Sequence, residues 1–197
     1  LRRQRQMCIR DSVCIEADTL EVAVRKGEIA MLRLRPYKKC DAEFIVRWIK
    51  DEVAFRKWCA DRYEKFPITA DDINAHYDQF AFSDSFFEMT AFDENGIVGH
   101  LIMRYTDEAK EELRLGFVIV DDNKRGQGYG KEMLKLSLQY AFDILKVSKV
   151  TLGVFKNNEP AYFCYKSVGF KDVVLDKVEY YHILNEDWEC LELEIVR

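Results

Sequence analysis

The sequence predicts an α/β (α+β) domain with a mixed central sheet flanked by helices, and three observations carry that prediction. Leu113, Leu115, Phe117 and Ile119 alternate with Arg114, Gly116, Val118 and Val120, so both faces of the segment are largely apolar and the strand should be central. A glycine turn and an amphipathic stretch from Gln127 to about Leu145 then lead to a second apolar run, Lys149 to Phe155. Strand, crossover helix and strand make this pair parallel and right-handed. Upstream, Phe86 to Phe92 and Ile97 to Tyr105 flank Asp93-Glu94-Asn95-Gly96, whose Asn-Gly pair suits a tight antiparallel hairpin.

The other elements follow in chain order. Leu1 to Arg10 has four arginines, little periodicity and no apolar stretch of the ~7–15 residues found in a signal peptide. The run Arg25-Lys26-Gly27-Glu28-Ile29-Ala30-Met31 can be encoded by a purine-rich message ahead of an ATG. Residues 1–30 are therefore expected to be a leader outside the domain, disordered or derived from upstream sequence, and residues 31–197 the domain. Met31 to Arg35 alternates apolar and basic residues up to Pro36, a first strand. Phe44, Ile45, Trp48 and Ile49 give Asp41 to Ile49 one apolar side, and Glu52 to Trp58 reads as a second helix. Thr69 with Asp72 forms a capping pattern for a helix from about Ala70 to Gln79. After Phe155, Asn157 or Asn158 can cap a helix with Pro160 in its first turn, and Gly169 can end it. Val173 to Ile183 and Trp188 to Val196 close the chain as strands joined through Asn185-Glu186-Asp187. Within the central strand, Gly116 marks a bulge or a close ligand approach.

Composition narrows the function classes. With 48% hydrophobic and 33% charged residues and no apolar run near the ~20 of a membrane span, the chain reads as a soluble, cytoplasmic, globular protein without a membrane partner. Cys8, Cys14, Cys40, Cys59, Cys164 and Cys190 form no Cys-x-x-Cys pair and no cluster with the three histidines, so reduced thiols are expected and no metal site. A net charge of -5 argues against a nucleic-acid surface and leans toward a cationic amine as substrate.

The turn from Asp121 to Gly130 holds the strongest chemical signal. The first turn of a helix has unpaired N–H groups and the positive end of the peptide dipole, both of which suit phosphate oxygens. Gly126, Gly128 and Gly130 let main chain approach such a group closely. Two familiar phosphate loops do not fit: Gly126 and Gly130 enclose three residues rather than four and Lys131 precedes Glu132 rather than Ser or Thr, while the dinucleotide fingerprint Gly-x-Gly-x-x-Gly needs a glycine where Lys131 stands. Arg125-Gly126-Gln127-Gly128-Tyr129-Gly130 instead resembles Arg/Gln-x-x-Gly-x-Gly/Ala, the pyrophosphate loop of the GNAT superfamily of acyl-CoA-dependent N-acyltransferases. Val154, Asn158, Ala161, Tyr165, Gly169 and Phe170 are similar to that superfamily's other coenzyme A segment, all in register. The general layout resembles the ribosomal-protein N-terminal and polyamine acetyltransferase subgroup.

The resemblance implies splayed parallel strands, here 113–120 and 149–155, with acetyl-CoA as co-substrate and its pantetheine arm bonded to main chain at Val118 and Val120. It implies cofactor contacts from Arg125, Gly126, Gln127, Gly128, Tyr129, Gly130, Asn158 and Tyr165. Asn158 would contact the arm or an ordered water, an amide near Val118 would be the oxyanion donor, and Tyr165 the acid near sulphur. A phenol with an ordinary pKa near 10, above a thiol's near 8.5, carries the proton that this role needs at neutral pH. The glutamate that several relatives place eleven residues before the loop is here Arg114. Glu112, two residues earlier on the same face, becomes the candidate base, with Glu88 and His100 in reserve.

The implied function is acetyl transfer from acetyl-CoA to a primary amine, a peptide N-terminal α-amine or a small amine, in a ternary complex; the protein would be a monomer or homodimer. An unassisted site suits an α-amine, because a lysine ε-amine needs about 2.5 pK units more deprotonation, roughly 3.4 kcal/mol. The alternatives are an acyl-CoA-binding sensor or scaffold of the same fold without turnover, and then a nucleotide-binding switch. Of the aromatics Trp48, Trp58, Tyr63, Phe80, Phe82, Phe86 and Phe87, Tyr63 and Phe82 are the expected groove residues because polar residues flank them.

Overall fold

A computed structural model describes residues 31–197. The leader expected over 1–30 lies outside the described residues. Strand β1 (Arg33–Pro36) leads to helices α1 (Ala42–Trp48), α2 (Glu52–Cys59) and α3 (Ala70–Asp78). The hairpin β2 (Phe86–Asp93) and β3 (Gly96–Tyr105) follows, then β4 (Glu112–Val120), α4 (Tyr129–Gln139), β5 (Lys149–Phe155), α5 (Glu159–Ser167), β6 (Lys171–Asp172), β7 (Glu179–Ile183) and β8 (Glu186–Val196).

The sheet runs β1-β2-β3-β4-β5-β8-β6, with β7 paired to β8, and β4 is central as its two-faced apolar pattern requires. Among the described residues only β4 and β5 pair in parallel. Helices cover both faces. On one, Met133, Leu134 and Leu138 of α4 and Tyr165 of α5 pack on Leu113, Leu115 and Leu152. On the other, Ile45, Trp48, Phe55 and Ile73 from α1 to α3 pack on Ile102, Phe117 and Ile119.

Local chemistry accounts for most boundaries. Asp51 accepts from the Ala54 amide at the start of α2, and Thr69 and Asp72 form the reciprocal cap expected for α3, with amide bonds of 3.2 and 2.9 Å. Gly169, at φ 110°, ends α5. Arg35 of β1 holds Asp41 bidentately at 2.7 and 2.9 Å, and Thr90 of β2 donates to the same carboxylate at 2.7 Å, which docks the helical segment on the sheet.

The structure differs from expectation in three places. The long helix is regular over Tyr129–Gln139 and then widens into a π turn, 140–144. Of the strand expected over Val173 to Ile183 only Glu179–Ile183 forms as such; the two-residue strand Lys171–Asp172 precedes it, and 174–178 leaves the sheet. The last hairpin turns at Leu184 and Asn185, both at positive φ, not at Asn185-Glu186-Asp187. Consecutive residues with φ of 53° and 62° match the mirror-image turn that strand twist favours.

Candidate active site

β4 and β5 pair at only three positions, Glu112 with Lys149, Leu113 with Val150 and Arg114 with Thr151, and then part. From Leu115 to Val120 the edge of β4 that faces β5 has no strand partner among the described residues, which leaves main-chain groups there to meet a ligand. A cavity of about 180 Å³ fills the opening, lined by Val118, Val154, Asn158, Ala161 and Tyr165 on the side of α5 and by Trp58, Arg104 and Arg114 on the side of α2.

A β-bulge shapes this opening. The register of β3 against β4 shifts between His100 and Ile102, so Gly116, Phe117 and Val118 span what two residues span on β3. Phe117 has φ 49°, uncommon for a bulky residue, and its carbonyl accepts from the Trp58 indole at 2.9 Å. The bulge anticipated at Gly116 is thus present, and Trp58 pins it.

The turn after β4 and the start of α5 meet at the mouth. Gly126 and Gly128 take φ of 74° and 92°, and Gly128 occupies the N-cap position of α4 with no side chain capping the helix. The first amides of α4 are therefore donors without a side-chain acceptor, and no heavy atom lies within 4 Å of where a Gly126 Cβ would stand. A Cβ on Gly130 would meet Cys164 Sγ at 3.5 Å and Val120 at 3.7 Å, so the glycine loop and the α5 segment are neighbours. Uncapped amides beside open space fit the diphosphate of coenzyme A. Arg125 turns inward, donating to the carbonyls of Val120 and Trp48 at 3.2 and 3.4 Å; Gln127 donates to Asn123 O and Tyr129 to Asp93. These three side chains brace the loop, and its main chain is what faces outward.

Asn158 sits at the N-cap of α5, yet its side chain makes no capping bond and lines the cavity instead. Tyr165 is buried, and its hydroxyl takes no hydrogen bond from the described residues. Burial raises its phenol well above the ordinary value. Full proton transfer from such a phenol to a thiolate is uphill, because even an unperturbed phenol is a weaker acid than a thiol. Tyr165 is therefore suited to donate a hydrogen bond to a developing thiolate and not to surrender its proton outright.

Glu112 is brought elsewhere. It stands at the closed end, where β4 and β5 still pair, bound to Lys149 and accepting from Thr106 at 2.9 Å and Thr151 at 3.3 Å. Although burial pushes the other way, those bonds hold its carboxyl below the usual range, and it does not line the cavity. The geometry counts against it as a base. Nor do the reserves reach the opening. His100 is buried against Tyr77 Oη at 2.7 Å, and half-buried Glu88 lies on β2. Of the two expected groove aromatics, Tyr63 is buried in the helical layer and Phe82 is fully exposed away from the cavity; Trp58 lines it.

Sequence reasoning missed the polar half of the site. Arg114 donates bidentately to Glu192 of β8 at 2.7 and 2.6 Å, crossing β5 over Gly153. Lys57, Arg62 and Arg104 join it in the lining, which among the described residues includes no carboxylate and no histidine. The thiols of Cys59 and Cys190 also line it, and burial pushes them up to about 12 and about 11, so neither is a ready nucleophile. Glu179, Cys190 and Glu192 bring ligand atoms within 4.8 Å of one another. A metal there would compete with the Arg114 guanidinium for Glu192, and the charge opposes it.

A family model described as an acetyltransferase (GNAT) domain matches residues 31–171. The chain is similar to spermidine N(1)-acetyltransferase of Escherichia coli (strain K12), 26% identical over 140 residues, 71% of this chain and 72% of that protein. It is also similar to spermine/spermidine N(1)-acetyltransferase of Bacillus subtilis (strain 168), 30% identical over 83 residues, 40% of this chain and 55% of that one. Among solved structures, spermidine N-acetyltransferase from Vibrio cholerae in complex with CoA and spermine matches with a TM-score of 0.72 at 20% identity, covering 84% of this chain and 95% of that chain.

Proposed function

The chain belongs to the GNAT acetyltransferase family and is an acetyl-CoA-dependent N-acyltransferase, and on that premise we propose that a small primary amine attacks directly in the opening between β4 and β5. Acetyl-CoA supplies the activated acetyl group. The first amides of α4, from Tyr129 onward, hold its diphosphate, and the free edge of β4 around Val118 offers donors to the reacting carbonyl. Asn158 contributes a polar contact from the rim, and Tyr165 donates from Oη toward the departing sulphur. The proton that ends on the thiol comes from the amine, so Tyr165 need not be a net acid.

The observation that carries this reading is the convergence of an uncapped helix start and an uncommitted phenol on one strand opening. Direct attack is favoured over a cysteine-borne acyl group because Cys59 and Cys190 keep their protons at neutral pH. With no carboxylate or histidine in the lining, the site suits an amine that loses its proton readily. The arginines assist, since neighbouring positive charge disfavours an ammonium. That points to an α-amine, of a small molecule or a peptide N-terminus. The relatives' printed names favour a second reading, a polyamine.

Release of free thiol from acetyl-CoA with a panel of amines tests the proposal, beside Gly128→Glu. Glutamate at a position with φ 92° adds backbone strain and a negative charge where the diphosphate docks. Loss of measurable CoA binding in that variant is expected; retained affinity would place the cofactor elsewhere. Binding of acetyl-CoA without thiol release by any amine would return the protein to the scaffold alternative.

A further inference from the structure

Arg104 of β3 and Arg114 of β4 are partners in the antiparallel register, so both side chains leave the sheet on the face toward α2, Arg114 then reaching away over β5 to Glu192. Arg62, from the segment after α2, also lines the cavity beside them. Like charges directly opposite across a strand pair are destabilising. Arg114 is answered by Glu192 and Arg62 by Asp61 at 3.2 Å. Arg104 is half-buried and makes no ion pair or hydrogen bond among the described residues. Burial lowers its pKa, and Arg114 and Arg62 add to the shift. A desolvated cation among cations, with five N–H donors unspent, fits an anion supplied from outside.

The phosphates of coenzyme A do not account for it. Their loop follows Val120, and six residues of extended strand put Arg114 roughly 20 Å away from that end. A polyamine fits poorly as well, because its second and third ammonium groups would meet arginines and no free carboxylate.

We propose that the acceptor is a small α-amine carrying its own anionic group, an α-amino acid or an α-aminoalkylphosphonate, and that Arg104, near Arg114 and Arg62, binds that group. This rests on the acetyl-transfer reading above and names its substrate class. The nitrogen lone pair forms the new N–C bond to the acetyl carbon, the C–S bond breaks with its electron pair going to sulphur, and one amine proton ends on the thiol. The anionic group takes no part in that balance; it orients the amine.

Thiol release is measured with matched pairs: L-amino acids against their amides, 1-aminoethylphosphonate against ethylamine, and spermidine. The anionic member of a pair should exceed its partner in kcat/KM by about tenfold to a hundredfold, the worth of one hydrogen-bonded charge. That preference should fall to near parity in Arg104→Gln and be largely kept in Arg104→Lys. Parity in the unaltered protein, spermidine as the best acceptor, or a preference untouched by Arg104→Gln would overturn the proposal. If no amine releases thiol, the acetyl-transfer reading fails, and calorimetry on the CoA-loaded protein decides the anion site separately. Binding of N-acetyl amino acids over N-acetyl amino acid amides, lost in Arg104→Gln, supports it; equal binding or none overturns it.

Discussion

A Cβ on Gly153 would lie 2.7 Å from Nη2 of Arg114, and 3.1 Å from both Cys190 Sγ and Glu192 Oε1. The bare backbone of β5 is therefore the channel through which an arginine on β4 reaches a glutamate on β8. Gly153→Ala forces the fork away from its acceptor. A half-buried, bidentate pair of this kind is worth about 1–3 kcal/mol, while alanine regains about 0.5–1 kcal/mol of backbone entropy in a strand. The expected net loss is about 1 kcal/mol, read as a lower urea midpoint at unchanged m-value. An equal or higher midpoint would mean that the pair re-forms by another route.

That relationship marks the boundary of what the sequence disclosed. The glycine loop, the α5 segment and the central strand were legible because each is a local pattern in which spacing fixes which side chains share a face. The charged half of the cavity was not. Placing Arg104 opposite Arg114 needs the β3–β4 register, which a bulge at Phe117 resets, and Glu192 arrives from a strand 78 positions away in the chain. Glu112 shows the same limit: it shares a face with Arg114 as expected, but at the closed end of the opening and bound to Lys149. Net charge does not report the local field either, since an acidic chain of -5 lines this cavity with lysine and arginine.

Tyr165→Phe removes one hydroxyl that has no protein partner, so unfolding should barely change. Turnover should fall by about one to three orders of magnitude, with the KM for acetyl-CoA little altered, because the lost bond forms only as charge develops on sulphur. Since Tyr165 acts as a hydrogen-bond donor, acetyl thioesters with more acidic thiols should narrow the gap between variant and parent. A gap that does not depend on the thiol would leave Tyr165 a packing residue.

His100 sets a stability window. It is buried against Tyr77 with Asp41 the nearest opposing charge, and burial lowers its pKa from 6.5 to about 3. Below pH 6.5 the unfolded chain takes up a proton that the folded chain refuses, so stability is full above that value and declines as pH falls toward 3. The slope approaches about 1.4 kcal/mol per pH unit, for a total of about 5 kcal/mol. The carboxylates held low, Asp41 among them, act only below about pH 4, and in urea unfolding between pH 5 and 6.5 half-buried His76, whose pKa burial also lowers, adds to the slope, so the difference between parent and His100→Gln is what isolates His100. The parent should lose stability across that interval and His100→Gln should be flatter; identical slopes would refute the assignment.

Arg104 offers the sharpest separation of stability from function. It stands opposite Arg114, whose guanidinium is turned to Glu192, near Arg62 and with no acid of its own among the described residues, an arrangement that folding alone would select against. Arg104→Gln keeps most of the side-chain volume and removes the repulsion, so the ligand-free protein should become more stable by about 0.2–1 kcal/mol. Added sodium chloride should narrow that gain, because part of the repulsion reaches solvent through the open cavity. A residue kept only for packing would give the opposite sign, since its loss would cost stability whatever the salt. Melting curves of the two proteins at low and high salt, with no substrate present, therefore show whether this arginine is retained against the interest of the fold.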